Sequence, residues 1–162
     1  MYKYSNDILI IKDQNLSIDI NCKIKLKKVV KKFKNITSES YYYKDLLYGP
    51  STSYIDNILM SEGYYFKNMK VGTFKTYYKS KKICSIEKYV DGKLHKDQRY
   101  FYEDGTLKSL INYKNSILDN NTILYWPNGK IKRELYFENN KLINEYIYDE
   151  NTKQINEDEF KI

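Results

Sequence analysis

Apolar and polar residues alternate along most of this chain, in short runs separated by turn-forming residues. Leu107, Ser109, Ile111 and Tyr113 fall on one face of an extended segment, and Ile131, Arg133, Leu135 and Phe137 repeat the pattern 24 residues later. A period of two marks a half-buried β-strand. Turn signals stand at Asp45, Asp56-Asn57, Asn68, Ser80-Lys81, Asp91-Gly92, Asp104-Gly105, Asn115-Ser116, Asn128-Gly129, Asn139-Asn140 and Asn151, spaced 11 to 13 residues apart. Asp-Gly and Asn-Gly suit two-residue hairpin loops, in which both residues must tolerate a positive φ. Strands of roughly six to eight residues joined by short loops follow from this spacing. No segment between turns can hold three helical turns, and β-branched and aromatic residues dominate, which excludes a helical reading.

The hairpins repeat. Ile36 to Gly49 (ITSESYYYKDLLYG) aligns without a gap on Leu59 to Gly72 (LMSEGYYFKNMKVG) at an offset of 23, pairing Ser38 with Ser61 and Glu39 with Glu62. Further on, the segment from Tyr100 aligns on that from Leu124 at an offset of 24. One aromatic column is expected to run Tyr43, Phe66, Tyr89, Tyr113, Phe137. The chain is therefore read as all-β, an extended antiparallel sheet of tandem hairpin repeats about 24 residues long. Residues 1–35 are expected to be a Lys-rich strand segment capping the array, 36–150 the repeats, and 151–162 a carboxy-terminal cap or tail. Within the first of these, Ile18, Ile20, Cys22, Ile24 and Leu26 alternate as one long amphipathic strand, and Lys27 to Lys34 reads as a bend, bulge or short helix. Each unit adds two strands at ~4.8 Å, so six units make a sheet ~60 Å long.

The runs YFYEDGTLKS from Tyr100, LYWPNGKIKRE from Leu124 and YVDGKL from Tyr89 resemble the MORN-repeat variant of YwqK-like bacterial proteins. The resemblance covers about residues 36 to 150. Ser80-Lys81 and Asn139-Asn140 lack the expected turn glycine, and the lead-in glycine stands only at Gly49 and Gly72, with Asp119 or Asn120 in its place later. The resemblance implies an extended antiparallel sheet and the role of an antitoxin or immunity protein against a cognate protein toxin. It implies no site residues.

Composition adds limits. With 41% apolar and 30% charged residues and a mean hydropathy of −0.74, the chain supports a thin core, and no apolar run approaches the ~18 residues of a membrane span. The start lacks a secretory pattern. Cys22 and Cys84 fit no metal spacing and read as reduced thiols, which points to the cytoplasm. His95 stands alone beside a turn, no nucleophile motif or metal-ligand spacing occurs, and neither cofactor nor catalysis is expected. Residues 1–94 carry 18 lysines against 9 acids, and Lys23 to Lys34 holds seven lysines and no acid. Such a run either deters edge-to-edge pairing or attracts an acidic partner. Arg99 and Arg133 are the only arginines, which disfavours sequence-specific nucleic-acid recognition.

Two neighbouring aromatic columns are candidates for contact. Tyr78, Tyr102 and Trp126 are expected to be exposed, and Tyr77, Phe101 and Tyr125 to face inward. The expected function is non-catalytic binding by a protein that is a monomer alone. It would occlude a protein toxin through Tyr78, Tyr102 and Trp126, with Lys23, Lys25 and Lys27 as further contacts. The alternative is docking on an anionic membrane or cell-wall polymer through the lysine-rich strand and the aromatic stripe.

Overall fold

The computed structural model describes residues 1–155, and they are almost wholly β. A small sheet forms from β1 (Tyr2–Ser5), β2 (Ile8–Asp13) and β3 (Ile18–Lys23) in that order. A large sheet follows: β4 (Lys27–Phe33), β5 (Ile36–Tyr43), β6 (Leu46–Ile55), β7 (Ile58–Phe66), β8 (Met69–Tyr77) and β9 (Ile83–Val90). It continues through β10 (Lys93–Leu94), β11 (Lys96–Phe101), β12 (Leu107–Lys114), β13 (Ile117–Tyr125), β14 (Ile131–Glu138), β15 (Lys141–Tyr148) and β16 (Gln154–Ile155). Its strands neighbour one another in chain order from β4 to β16, all antiparallel, with β10 and β11 both pairing β9. Lys27 to Lys34 is thus not a bend or helix: β4 is a regular strand paired with β5 from Lys27↔Tyr42 to Phe33↔Ile36. The expected long amphipathic strand ends its ladder at Lys23, where the chain crosses to the large sheet. Of the expected tail, Gln154 and Ile155 pair with β15, and residues 156–162 lie outside the described ones.

Turns sit where the sequence placed them, but they are of two kinds. In seven pairs, including Lys44-Asp45, Lys67-Asn68, Asp91-Gly92, Asn115-Ser116 and Asn139-Asn140, both residues have positive φ, the conformation that continues strand twist through a tight hairpin. Only one of these pairs contains glycine. Asp104-Gly105 and Asn128-Gly129 differ from the expectation, because only the glycine is left-handed. There the Gly105 N–H donates to Tyr102 O and the Gly129 N–H to Trp126 O, both at 2.9 Å, closing a three-residue loop. Asp104 and Asn128 instead accept from the backbone N–H of Thr106 (2.7 Å) and Lys130 (3.0 Å).

The extra loop residue explains the shift from 23 to 24. The turn at Asp56-Asn57 has two residues, whereas that closed by Lys81 N–H on Tyr78 O has three. Applying an offset of 23 across it slips the register by one, and a one-residue slip moves a side chain to the other face. The aromatic column is therefore Tyr42, Tyr65, Tyr89, Tyr113, Phe137. Tyr43 and Phe66 lie on the opposite face, both packed edge-on to Tyr48 at 5.9 and 5.1 Å.

The core sits where the small sheet stacks on the large one. Leu9 and Ile11 are fully buried, and with Leu16, Ile18 and Leu26 they cover Tyr41, Tyr48, Tyr64, Phe66, Val71 and Val90 of β5 to β9. Tyr2 packs on Tyr64 and Tyr4 on Tyr41 at 5.5 and 5.4 Å between ring centroids. Tyr4 Oη also accepts from the Leu26 N–H at 2.8 Å, holding the crossover down. Beyond β9 no second layer covers that face among the described residues.

A candidate protein-binding face

Cross-strand register defines what the uncovered part of this face carries. Ile86 pairs with Arg99, Arg99 with Leu110, Leu110 with Ile123, Ile123 with Glu134 and Glu134 with Tyr146. On the same face, toward the three-residue turns, lie Tyr77, Phe101, Tyr125 and Tyr148. Together they form an apolar and aromatic patch, half-buried except for the exposed Arg99, which stands within the row between Ile86 and Leu110. The column Tyr77, Phe101, Tyr125, read from sequence as inward, thus lies on a face with no layer over it from β11 onward.

Tyr77 anchors the patch at one end. Its hydroxyl donates to Glu62 Oε1 at 2.6 Å, and burial, then the Glu62 carboxylate, push the phenol up to about 12. Tyr148 repeats the arrangement at the other end, donating to Glu134 Oε2 at 3.1 Å. Rows of tyrosine whose hydroxyls are fixed by glutamate present rigid rings at little entropic cost.

Tyr78, Tyr102 and Trp126 are placed differently. Each sits just past a strand end and donates to a backbone carbonyl of the next unit: Tyr78 to Phe101 O (2.6 Å), Tyr102 to Tyr125 O (2.9 Å) and Trp126 Nε1 to Tyr148 O (3.2 Å). Lys108 and Lys132 lie over the Tyr102 and Trp126 rings at 5.6 and 4.3 Å. All three rings are half-buried. Their regular spacing reflects a staple between units, since each side-chain donor satisfies a carbonyl of the neighbouring hairpin. The sequence signal for this was the position immediately before each turn.

Lys23, Lys25 and Lys27 are exposed, alternating with Cys22, Ile24 and Leu26, which turn inward. They lie on β3, the crossover and β4, so the structure does not bring them together with Trp126, which follows β13. His95 lies in the break between β10 and β11, where its Nδ1 accepts from the Asn115 N–H at 3.5 Å. Lys96 (φ 61) lets that strand bulge, and the fully buried Gln98 fills the bulge, bonding Lys88 N–H (2.6 Å), His95 O and Lys96 O (both 3.0 Å). Among the described residues no cluster of three or more His, Cys, Asp or Glu could hold a metal. A cleft of about 450 Å³ lies where Tyr2 of the small sheet meets Glu62, Tyr64, Thr73 and Lys75.

Part of the large sheet matches a recognised repeat. Residues 70–91, 94–115 and 118–139 match the MORN repeat variant. The three tandem matches span β8 to the β14–β15 turn, and each ends at a tight left-handed turn. MORN repeats are generally non-catalytic modules that bind proteins or membranes. No curated protein matches the chain.

Proposed function

We propose that this protein binds a partner protein across the uncovered face of β11 to β15, bordered by Tyr77 and Ile86, and acts by occlusion, without turnover. The observation that carries the reading is the row Ile86, Arg99, Leu110 and Ile123, flanked by Phe101 and Tyr125 and uncovered from β11 onward. It continues the face on which the chain's own small sheet docks. A second β-layer is what that face accepts in one half of the molecule, and a partner would supply it in the other. The mix of aromatic rings, few ionic groups and a rigid sheet is typical of an interface centre. The carboxy-terminal part is also close to neutral, with 10 basic and 12 acidic residues over 95–162, so apolar contact there is not opposed by a large field.

The partner class we favour is a cognate protein toxin, the role that the YwqK-like resemblance implies, with cytoplasmic neutralisation. The test is capture of a partner at moderate salt by the wild-type chain and by Leu110→Thr and Ile123→Thr, which keep strand propensity while removing apolar area. Binding weakened ~10-fold or more in each, with melting close to wild type, supports the reading. Undiminished binding by both would reject this face.

A further inference from the structure

The rim of the small sheet leaves the cleft of about 450 Å³ between Tyr2 and the strands β6, β7 and β8. Its volume suits a small molecule, for which sites of roughly 300–1,000 Å³ are usual. Sheet register builds the floor: Thr52 pairs with Glu62 and Glu62 with Lys75, so one carboxylate lies between a hydroxyl and an ammonium on neighbouring strands. Thr73 also lines it, and the Tyr2 and Tyr64 rings, 5.5 Å apart between centroids and tilted by 39°, line the side nearest the cap. The polar groups are held in place by partners beyond the cleft. Tyr77 Oη donates to Glu62 Oε1 at 2.6 Å, and Tyr2 Oη donates to Asp13 Oδ2 at 2.6 Å. Among the described residues Glu62 Oε2 accepts no hydrogen bond, and Lys75 Nζ stays 3.9 Å from Oε1, longer than a hydrogen bond. One unit earlier, the equivalent Glu39 is closed by Lys28 at 2.8 Å. Burial, then the Glu62 carboxylate, hold the Tyr64 phenol above its ordinary value, so it remains neutral.

We propose that this cleft binds a neutral sugar ring, with adjacent hydroxyls shared between Glu62 and Lys75 and the C–H face of the ring against Tyr2 and Tyr64. Each sugar hydroxyl both donates and accepts, and a carboxylate beside an ammonium offers one acceptor and one donor side by side. The hydrogen bonds formed are charge-assisted, while the pair keeps the site neutral as a whole. An anion or a cation would leave one of the two charges unmatched in a half-buried cleft. The Thr52 and Thr73 hydroxyls add groups that donate and accept, which a polyhydroxylated ligand uses and an apolar one does not. Tyrosine rings supply flat apolar surface for the C–H groups. Because Glu62 and Tyr2 are already oriented, little further ordering is needed on binding. The cleft lies on β6 to β8, and the inference does not rest on the partner-binding face proposed above.

The experiment is an amide chemical-shift titration of the full chain with glucose, galactose, mannose and N-acetylglucosamine, each as the monosaccharide and as a trisaccharide, beside alanine and inorganic phosphate. At least one sugar should shift the amides of Thr52, Glu62, Thr73 and Lys75 saturably, and alanine and phosphate should not. Glu62→Gln, whose amide oxygen can still accept from Tyr77, should weaken that binding about 10-fold or more. Lys75→Met, which keeps the length of the side chain, should do likewise through loss of the donor. Both variants alter half-exposed side chains, and their melting temperatures check that the fold is kept. Tighter binding of a trisaccharide than of its monosaccharide marks a polymer end as the source, equal binding a free sugar, and both support the site. Absence of binding by every sugar, a response to alanine or phosphate alone, or full sugar affinity in either variant would overturn the proposal.

Discussion

At the position of Tyr48, successive units carry Val71, His95 and Asp119, and at the position of Tyr43 they carry Phe66, Val90, Lys114 and Glu138. The backbone is the same throughout, but these columns change from apolar to polar where the small sheet stops. Tyr48 and Val71 are 7% and 4% exposed beneath it, whereas Lys114 and Glu138 are exposed. The left-handed bulge position behaves alike: Gly49 and Gly72 under the cap, Lys96 and Asn120 beyond it, all at φ between 61 and 76. A Cβ on Gly72 would fall 2.3 Å from the Tyr2 ring, and one on Gly49 2.9 Å from Leu26. Glycine there is required by the close approach of the cap more than by the dihedral, which Lys96 and Asn120 also adopt. The two halves show that the repeat sets the sheet, while the residues on its face record what lies over it. Toward the three-residue turns the carboxy-terminal face stays apolar and aromatic, and that part is left for a partner.

The largest effect should come from the cap core. Ile11→Ala should destabilise by about 2–4 kcal/mol, since a fully buried side chain leaves a cavity, whereas Ile123→Ala on the open face should cost about 1 kcal/mol. Urea denaturation of both variants checks the contrast, and equal costs would mean that the small sheet is not a packed layer. Next comes the bulge. Gly72→Ala should cost about 2 kcal/mol or more, because the Tyr2 ring must move and alanine resists positive φ. Lys96→Gly, at the equivalent uncapped position, should stay within about 1 kcal/mol of wild type, strain relief offsetting chain entropy.

A pH titration sharpens the picture across both halves. Tyr77 and Tyr100 phenols are pushed up to about 12, in each case by burial first and then by glutamate, Glu62 and Glu87 respectively. The folded state holds these protons more tightly than the unfolded chain, whose tyrosines ionise near 10. Stability should therefore be unchanged by them below pH 10 and fall as pH rises from about 10 to 12. Tyr77→Phe should blunt that loss in an alkaline melting series.

The smallest effect belongs to the tight turns, which are alike with or without a cap. Asn68 and Asn140 each donate a backbone N–H to the preceding hairpin and accept in return from Leu47 (2.7 Å) and Leu118 (2.6 Å) through the side-chain oxygen. Gly92 makes only the first of these contacts, with Lys70 O at 3.0 Å. Gly92→Asn should supply the second and raise stability by about 0.5–1 kcal/mol, a rise of a few degrees in melting temperature. A lowered melting temperature would mean that the asparagine bridges are incidental.

Apart from the turns at Asn6-Asp7 and Lys34, which the spacing does not announce, the hairpins and turns of the large sheet were legible because Asn, Asp and Gly at left-handed sites leave a periodic mark. The column slip was not, since nothing at Lys79 to Lys82 announces a three-residue loop. The stacking of residues 1–26 was equally hidden: alternation in β2 and β3 says that one face is buried but not against what. The signal existed in the columns, where Val71 gives way to His95 and Gly72 to Lys96. At the candidate site, the 24-residue spacing of Tyr78, Tyr102 and Trp126 was real, but spacing alone does not separate a contact surface from a staple between units. Their hydrogen bonds to Phe101, Tyr125 and Tyr148 carbonyls do.

One face of a uniform repeat sheet is layered over β5 to β9 and open beyond. Residue-resolved amide hydrogen exchange on the free protein tests it most directly, because exchange from a covered sheet requires the cap to open first. The slowest amides should lie in β2 and β6 to β8, with those of β12 to β15 exchanging at least ~10-fold faster. Equal protection along the whole sheet, or fast exchange in β2, would contradict it.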